Sequence, residues 1–246
     1  MTGAPRDHVV LLRDWAELWY EPWRRMHPAW IDQRSADRDI PEPFGDGEDR
    51  SGRSWLRRFA DSRRPAVVSP ALRLGYHWFC GRFGIDASAP LPLDQLDGLP
   101  DHVPLDEAGL DRAALALGRI AHVSHCMAAA PRGLAQLFSA GGGAADEWRD
   151  ALRVARARPL HGVGTAPPRD GDSTALRRWA LPVMGRLIED VLPGAWPRLR
   201  LRCDPALVGT TILPPATLNA APAVRRLVWR IWRTSTPPPN PFAASR

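Results

Sequence analysis

The sequence predicts a mainly α-helical protein, a compact multi-helix domain spanning residues 1–246. In three stretches, 110–130, 144–158 and 173–191, apolar residues recur at the three- and four-residue spacing of an amphipathic helix. Proline and glycine separate these stretches, as is typical of helix ends. A period of two, with leucine alternating with arginine, predicts at most a short extended segment near 198–203.

The first of the three helices is apolar almost all round, so we expect it to lie centrally and to be contacted on several sides. Its broad apolar arc consists of Leu110, Ala113, Ala114, Leu117, Ile120, Ala121, Ser124, Met127 and Ala128. The opposite side carries charged residues but also Leu115 and Cys126. Pro131 ends this helix, and the glycines at 141–143 form a hinge before the second helix.

The second and third helices each have one apolar face. In the second helix, the apolar face consists of Trp148, Ala151, Leu152 and Ala155. The opposite face carries Arg149, Arg153 and Arg156. In the third, Asp172 or Ser173 is expected to cap the N-terminus. Pro182 lies inside the third helix and is expected to kink or divide it, and a Pro-Gly pair at 193–194 closes it.

Near the N-terminus three tryptophans repeat every four residues: Trp15, Trp19 and Trp23. The spacing predicts a helical aromatic stripe that ends where Pro22 interrupts the helix. Residues 33–53 are polar, charged and punctuated by proline and glycine, so we expect a poorly ordered linker. The tail 234–246, with three consecutive prolines, is expected to be disordered.

A last amphipathic helix is predicted over 222–233, where apolar residues gather opposite four arginines: Arg225, Arg226, Arg230 and Arg233. Two interpretations of this helix remain open. It docks on the core with its arginine face in solvent, or it binds an acidic partner or an anionic membrane surface.

Composition narrows the class of protein. With 44% hydrophobic residues and 11 Trp, the chain is too apolar for wholesale disorder. It has no apolar run of the roughly 18 residues that a membrane-spanning helix needs, and its N-terminus lacks the pattern of a secretory signal. Three widely spaced cysteines do not make a disulfide framework. We therefore expect a reduced, cytoplasmic protein.

The net positive charge of the chain has two explanations. All 33 basic residues are arginine, and the formal net charge is +6. A bias toward alanine, arginine and proline is typical of a GC-rich genome, so this charge does not by itself require a polyanionic partner. The alternative function is a basic helical nucleic-acid-binding protein, which would bind with steep salt dependence.

No group of residues matches a catalytic, cofactor-binding or metal-binding signature. His122, His125 and Cys126 lie close together on one helix, but a metal site usually has three or four ligands and no second cluster of His or Cys follows. The glycines at 141–143 lack the Lys-Ser/Thr ending of a phosphate loop, and Ser124 lacks the glycines of a nucleophile elbow. The sequence therefore predicts a non-enzymatic protein with no cofactor and no metal.

Three segments carry a family resemblance. In chain order they are Tyr20–Trp30 (YEPWRRMHPAW), Leu115–His125 (LALGRIAHVSH) and Trp196–Pro205 (WPRLRLRCDP). They are similar to the aromatic and proline-containing opening, the central helix, and the tryptophan, arginine-leucine and proline ending of the SctK family. These are accessory proteins of the type III secretion sorting platform and include YscK, PscK, OrgA and MxiK. An acidic stretch at 46–49 and the region after Asp204 have no counterpart in that pattern.

The resemblance implies a soluble, mainly helical adaptor at the cytoplasmic face of the inner membrane. Such a protein links the cytoplasmic domain of the inner-membrane ring protein, SctD, to the pod protein, SctQ. Through SctQ it supports assembly of the SctL stalk and the SctN ATPase, and so export of substrates; no nucleic acid is expected as a partner. Aromatic and arginine anchors suit such contacts, and the partner-binding candidates are Trp19, Trp23, Trp30, Arg225, Arg226, Arg230 and Arg233.

Overall fold

The computed structural model describes residues 8–33, 70–93, 105–129, 144–157, 159–160, 166–168 and 171–208, together with 226, 230 and 231. Within these residues the chain forms α-helices and one 3₁₀ turn, and no strand. The prediction of a mainly α, multi-helix fold is confirmed.

The helices in chain order are α1 (His8–Tyr20), α2 (Pro28–Gln33), α3 (Pro70–Phe83), α4 (Glu107–Ala129), α5 (Ala144–Ala157), α6 (Ser173–Val191), α7 (Ala195–Leu199) and α8 (Pro205–Val208), with the 3₁₀ turn (Arg200–Arg202) between the last two. The three helices predicted from periodicity are α4, α5 and α6, and their bounds match the prediction within three residues. The predicted linker 33–53 and tail 234–246 lie outside the described residues, apart from Gln33 at the end of α2.

The residues group into two compact units. Unit 1 comprises 1–101 and 192–206, and unit 2 comprises 102–191 and 207–246. The prediction that 1–246 forms a single domain is not tested by this grouping and stays a prediction.

In unit 1 the predicted tryptophan stripe forms the buried face of α1. Trp15, Leu18 and Trp19 are fully buried, and α1 ends at Tyr20, two residues before Pro22. Trp23 lies in the turn that follows, and its ring meets the ring of Phe79 on α3 edge to face, with centroids 5.7 Å apart. Such edge-to-face pairs stabilise a core beyond their burial of apolar area.

The expected extended segment near 198–203 is wrong: residues 195–202 form α7 and the 3₁₀ turn, and only at Cys203 does the backbone become extended. Period-two alternation indicates a strand when one residue type points inward and the other outward. Here Leu199 and Leu201 are buried, but so are Arg198 and Arg202. The alternation therefore does not separate a buried face from an exposed one.

In unit 2, α4 packs against both α5 and α6, which confirms its predicted central position. Gly118 of α4 meets α6 so closely that a Cβ at Gly118 would lie 2.9 Å from both the Cβ and the carbonyl oxygen of Leu176. Ion pairs join the rims of the helices, Arg177 to Asp111 (2.6 Å) and Arg119 to Glu147. A small residue at the crossing point thus sets how near the two helices can approach.

The third predicted helix is one continuous element. Asp172 caps α6, since its carboxylate accepts a hydrogen bond from the backbone N–H of Ala175 at 2.7 Å. Pro182 lies inside α6 but does not divide it, which corrects that part of the expectation. Proline removes one backbone donor, and the buried apolar face on both sides of Pro182 holds the helix together: Leu176, Ala180, Leu181, Val183, Met184, Leu187 and Ile188.

Candidate functional site

The tryptophans predicted to bind partners are core residues. Trp19, Trp23 and Trp30 are 0%, 2% and 3% exposed. The indole N–H of Trp19 donates to the carbonyl of Ala89 at 2.8 Å, and that of Trp30 to the carbonyl of Cys203 at 3.0 Å. Since a buried indole does not present an anchor to another protein, we reassign these side chains to the packing of unit 1.

The first and last motif segments meet in unit 1, although about 170 residues separate them in the chain. The backbone N–H of His27 donates to the carbonyl of Leu201 at 2.8 Å. Together with the bond from Trp30 to Cys203, this contact joins the turn after α1 to the 3₁₀ turn. The two segments therefore form one structural junction.

Arg198 lies at the centre of that junction and is fully buried. Its guanidinium donates to three backbone carbonyls, those of Trp19 (3.1 Å), Gly194 (2.7 Å) and Asp86 (2.8 Å). Its Cζ also lies 4.1 Å from the centroid of the Trp19 ring, a cation–π contact. The partial negative charge of carbonyls at the end of α1 favours a cation at this place. Arg198 therefore fixes the relative positions of three backbone segments. Its three N–H donors bond to this protein's own backbone.

Gly194 makes the junction sterically possible. Its φ is +86°, in the left-handed region that glycine adopts without a Cβ clash. A Cβ there would lie 3.1 Å from Nη1 of Arg198 and 3.3 Å from the Trp19 ring. The residue before α7 therefore has to be glycine both for its backbone and for the space that Arg198 occupies.

Two titratable groups near Arg198 stay neutral at physiological pH. Burial raises the pKa of Tyr76 to about 12, and burial raises the pKa of the Cys80 thiol to about 11. A thiol that holds its proton is a poor nucleophile. These side chains therefore act as packing groups and do not provide a reactive centre.

The exposed large apolar residues in the described part of the chain all belong to unit 1. They are Leu12 (44% exposed), Tyr20 (49%) and Leu93 (57%), and we call them the apolar face. Leu12 and Tyr20 lie two turns apart on α1, and the hydroxyl of Tyr20 accepts a hydrogen bond from the N–H of Leu91 at 3.4 Å. This bond brings Leu91, two residues before Leu93, to the end of α1.

The apolar face was missed from the sequence, because tryptophan content drew the prediction to the wrong side of α1. The spacing of its residues along α1 nevertheless indicated that they share one side of the helix. Leu12 and Tyr20 are eight residues apart, which places them within about 80° of each other around α1 at 100° per residue. Partly exposed aromatic side chains of this kind are the usual anchors of protein interfaces.

The arginine candidates of the terminal helix are described only in part. Arg226 and Arg230 are helical and exposed, and Ile231 is helical and buried, in agreement with the predicted amphipathic pattern at those positions. Arg225 and Arg233 lie outside the described residues. The choice between a docked helix and a partner-binding helix stays open.

The residues considered for chemistry lie in unit 2, on α4. Ser124 is fully buried; its hydroxyl donates to the carbonyl of Ile120 at 2.7 Å and accepts from the N–H of Leu160 at 3.0 Å. This hydroxyl is therefore occupied by structural hydrogen bonds. His122 and Cys126 contact each other, with 3.5 Å between Nε2 and Sγ. No group of three or more His, Cys, Asp or Glu residues suited to a metal ion lies among the described residues.

Comparison of the chain with protein-family models, with curated proteins and with solved structures finds no match. A search of the described helices for one long and apolar enough to span a membrane also finds none.

Proposed function

We propose that this chain is a non-enzymatic adaptor of the type III protein secretion sorting platform, resembling SctK. In this role it links the cytoplasmic domain of SctD to SctQ at the cytoplasmic face of the inner membrane. By holding SctQ it supports assembly of the SctL–SctN ATPase complex and substrate export.

One observation carries the proposal. The segments that resemble the family are the ones around which the described helices are organised. Tyr20–Trp30 and Trp196–Pro205 meet through Trp30, His27 and the 3₁₀ turn. Leu115–His125 lies in α4, the helix that both α5 and α6 contact. These segments thus lie at the packing centres of the units that contain them, as the shared framework of a family would.

The charge distribution favours an adaptor over the nucleic-acid-binding alternative. Much of the positive charge on the described helices is paired with carboxylates, in the pairs Arg24–Glu21, Arg25–Asp14, Arg25–Glu17, Arg119–Glu147, Arg149–Asp146, Arg153–Asp150, Arg177–Asp111 and Arg186–Asp190. Binding to a phosphate backbone relies on basic groups that are available to replace counterions. The pairing of the less exposed arginines, Arg119, Arg177 and Arg186, lowers the number available.

We assign the apolar face a role in the adaptor contact. Arg13, which is exposed, lies beside Leu12 and Tyr20 on α1. Aromatic and arginine side chains dominate the energetics of many interfaces. The combination of Tyr20, Leu12 and Arg13 therefore replaces the buried tryptophans as the anchor set in unit 1.

The test is co-expression of the full chain with the cytoplasmic domain of SctD and, separately, with SctQ from the same genome. We expect co-purification with both. Tyr20→Ala should weaken one of the two complexes by ~30-fold, the effect of losing about 2 kcal/mol at an interface anchor. Arg153→Ala, an exposed position on α5, is the matched surface control and should leave both affinities unchanged.

The outcomes separate the parts of the proposal. Failure of the wild-type chain to associate with either protein overturns the adaptor function. Normal association of Tyr20→Ala with both partners removes the apolar face from the contact and leaves the adaptor function standing. Tight binding to DNA or RNA that falls steeply with salt, without binding to SctD or SctQ, would establish the alternative.

A further inference from the structure

His122 and Cys126 form an ordered pair on α4. The residues lie one helical turn apart, so their side chains project from the same face. The distance between Nε2 of His122 and Sγ of Cys126 is 3.5 Å. His122 is buried, whereas Cys126 is partly exposed and can be reached by solutes.

The imidazole of His122 is held in one orientation. Its Nδ1 lies 2.7 Å from the carbonyl oxygen of Pro168. A carbonyl is only an acceptor, so Nδ1 carries the proton and Nε2 presents its lone pair toward Cys126. The tilted ring of Trp148, with its centroid 5.6 Å from that of His122, packs against the imidazole. A backbone carbonyl on the other ring nitrogen is the usual support of a metal-binding histidine.

The separation of the two atoms matches one coordination geometry. With Zn–S of about 2.3 Å and Zn–N of about 2.0–2.1 Å, tetrahedral angles place sulfur and nitrogen about 3.5–3.6 Å apart. A linear two-coordinate ion would need about 4.3 Å, the sum of the two bond lengths. The observed distance of 3.5 Å agrees with the tetrahedral arrangement and not with the linear one.

From this geometry we propose that His122 Nε2 and Cys126 Sγ form a bidentate site for a tetrahedral, thiophilic divalent cation of the Zn²⁺ and Cd²⁺ class. Two protein ligands leave two coordination positions to water. This inference is independent of the adaptor function.

Metal binding at this pair exchanges one proton. In the empty pair the thiol and the imidazole are joined by the 3.5 Å hydrogen-bonding contact between Sγ and Nε2. On binding, the S–H bond breaks, the S–metal and Nε2–metal bonds form, and the proton is released to solvent. No oxidation or reduction occurs. Occupancy should therefore increase as the pH rises and one competing proton is removed.

The test uses Cd²⁺ alone as the probe, added to the full-length, reduced protein. We expect a cadmium–thiolate charge-transfer absorption in the ultraviolet that saturates at one ion per chain, is competed by Zn²⁺ and is accompanied by release of one proton. Cys126→Ser keeps a hydroxyl that donates to Nε2 and should abolish the absorption. Cys80 and Cys203 are buried and remain in this variant as internal controls.

The histidine is tested with a variant that keeps its support. His122→Asn retains an N–H donor for the Pro168 carbonyl but has no Nε2, and we expect Cd²⁺ affinity to fall at least ~10–100-fold, the range for losing even a supporting residue. His125→Ala, one residue from Cys126, is the matched control and should bind normally. The proposal is overturned by no charge-transfer band in the wild type, by a band that persists in Cys126→Ser, or by equal losses in His122→Asn and His125→Ala. The first outcome would identify the pair as a hydrogen bond only.

Discussion

Units 1 and 2 are stabilised in different ways. In unit 1, side chains bond to backbone far away in sequence: Arg198 reaches the carbonyls of Trp19 and Asp86, 179 and 112 residues distant. In unit 2, α4 and α6 pack directly against each other, and the absence of a side chain at Gly118 permits the approach. Hydrogen bonds from one buried arginine to distant backbone are the main feature of unit 1, and the close crossing of two long helices is the main feature of unit 2.

Helix ends account for part of the difference. Every helix leaves four N–H and four C=O groups without intrahelical partners at its ends. In unit 1, α2 and α7 have only 6 and 5 residues, so ends make up most of each helix. In unit 2, α4 and α6 have 23 and 19 residues and satisfy most of their own backbone. Arg198 bonds to carbonyls at the end of α1, just before α7 and in the loop after α3, and arginine suits this role because it offers five N–H groups on one rigid plane.

The largest effect is expected at Arg198. Arg198→Met keeps the apolar stem but orphans the three carbonyls, and we expect a loss of roughly 3 kcal/mol or more in the free energy of unfolding, because each buried unsatisfied acceptor costs about 1–3 kcal/mol. Arg198→Lys should retain only part of this stability, since a lysine ammonium lacks the planar, multiple-donor geometry of the guanidinium. Urea unfolding of both variants measures this, with exposed Arg153→Met in unit 2 as control. If Arg198→Met has the same free energy of unfolding as the wild type, the hydrogen bonds of Arg198 do not stabilise unit 1.

The complementary test in unit 2 uses the helix crossing. Gly118→Ala forces a Cβ to 2.9 Å from the Leu176 carbonyl, so α4 and α6 must separate. Overpacking of this kind typically costs about 1–3 kcal/mol. Gly81→Ala on α3 is the matched control, because a Cβ there has open space. It should stabilise by ~0.5–1 kcal/mol, the usual gain when alanine replaces a helical glycine. Thermal unfolding of the two variants measures the difference. Equal melting temperatures would show that Gly118 does not limit the approach of α4 and α6.

A third comparison removes one buried hydrogen bond from each unit. Trp30→Phe leaves the Cys203 carbonyl without the indole donor, and Ser124→Ala leaves the Leu160 N–H without its acceptor. Each should cost about 1–3 kcal/mol, the penalty of an unsatisfied buried group. Hydrogen exchange should show the loss of protection confined to the unit that carries the substitution. A loss of protection spread equally over both units would show that they do not unfold separately.

The last effect is expected only at alkaline pH. In the folded state the pKa of Tyr76 rises from 10.0 to about 12 and that of Cys80 from 9.0 to about 11. The folded state holds these protons more tightly, so the stability they contribute is complete below about pH 9 and is lost as the pH rises toward about 12. Urea unfolding across this range should show a decline that is shallower in Tyr76→Phe. An unchanged slope in that variant would exclude Tyr76 as a cause.

Helix positions were predictable because the spacing of apolar residues is a local property. The cap at Asp172 and the bounds of α4, α5 and α6 required nothing beyond neighbouring residues. The arginine–leucine alternation misled because the rule assumes that arginine faces water. The tryptophan candidates misled for a related reason: the sequence indicates that Trp19 and Trp23 share a helical stripe, but not which side of α1 is covered.

The amino-acid sequence alone determined that this protein is built from amphipathic helices separated by proline and glycine, since periodicity and backbone restriction act within a few residues. Only the tertiary structure decided that Arg198 is buried, that Tyr20 is exposed and that Nε2 of His122 stands 3.5 Å from the Cys126 sulfur. Burial of a charge depends on acceptors supplied from distant parts of the chain, and the orientation of His122 depends on the carbonyl of Pro168, 46 residues away. Such partners meet only when the helices pack.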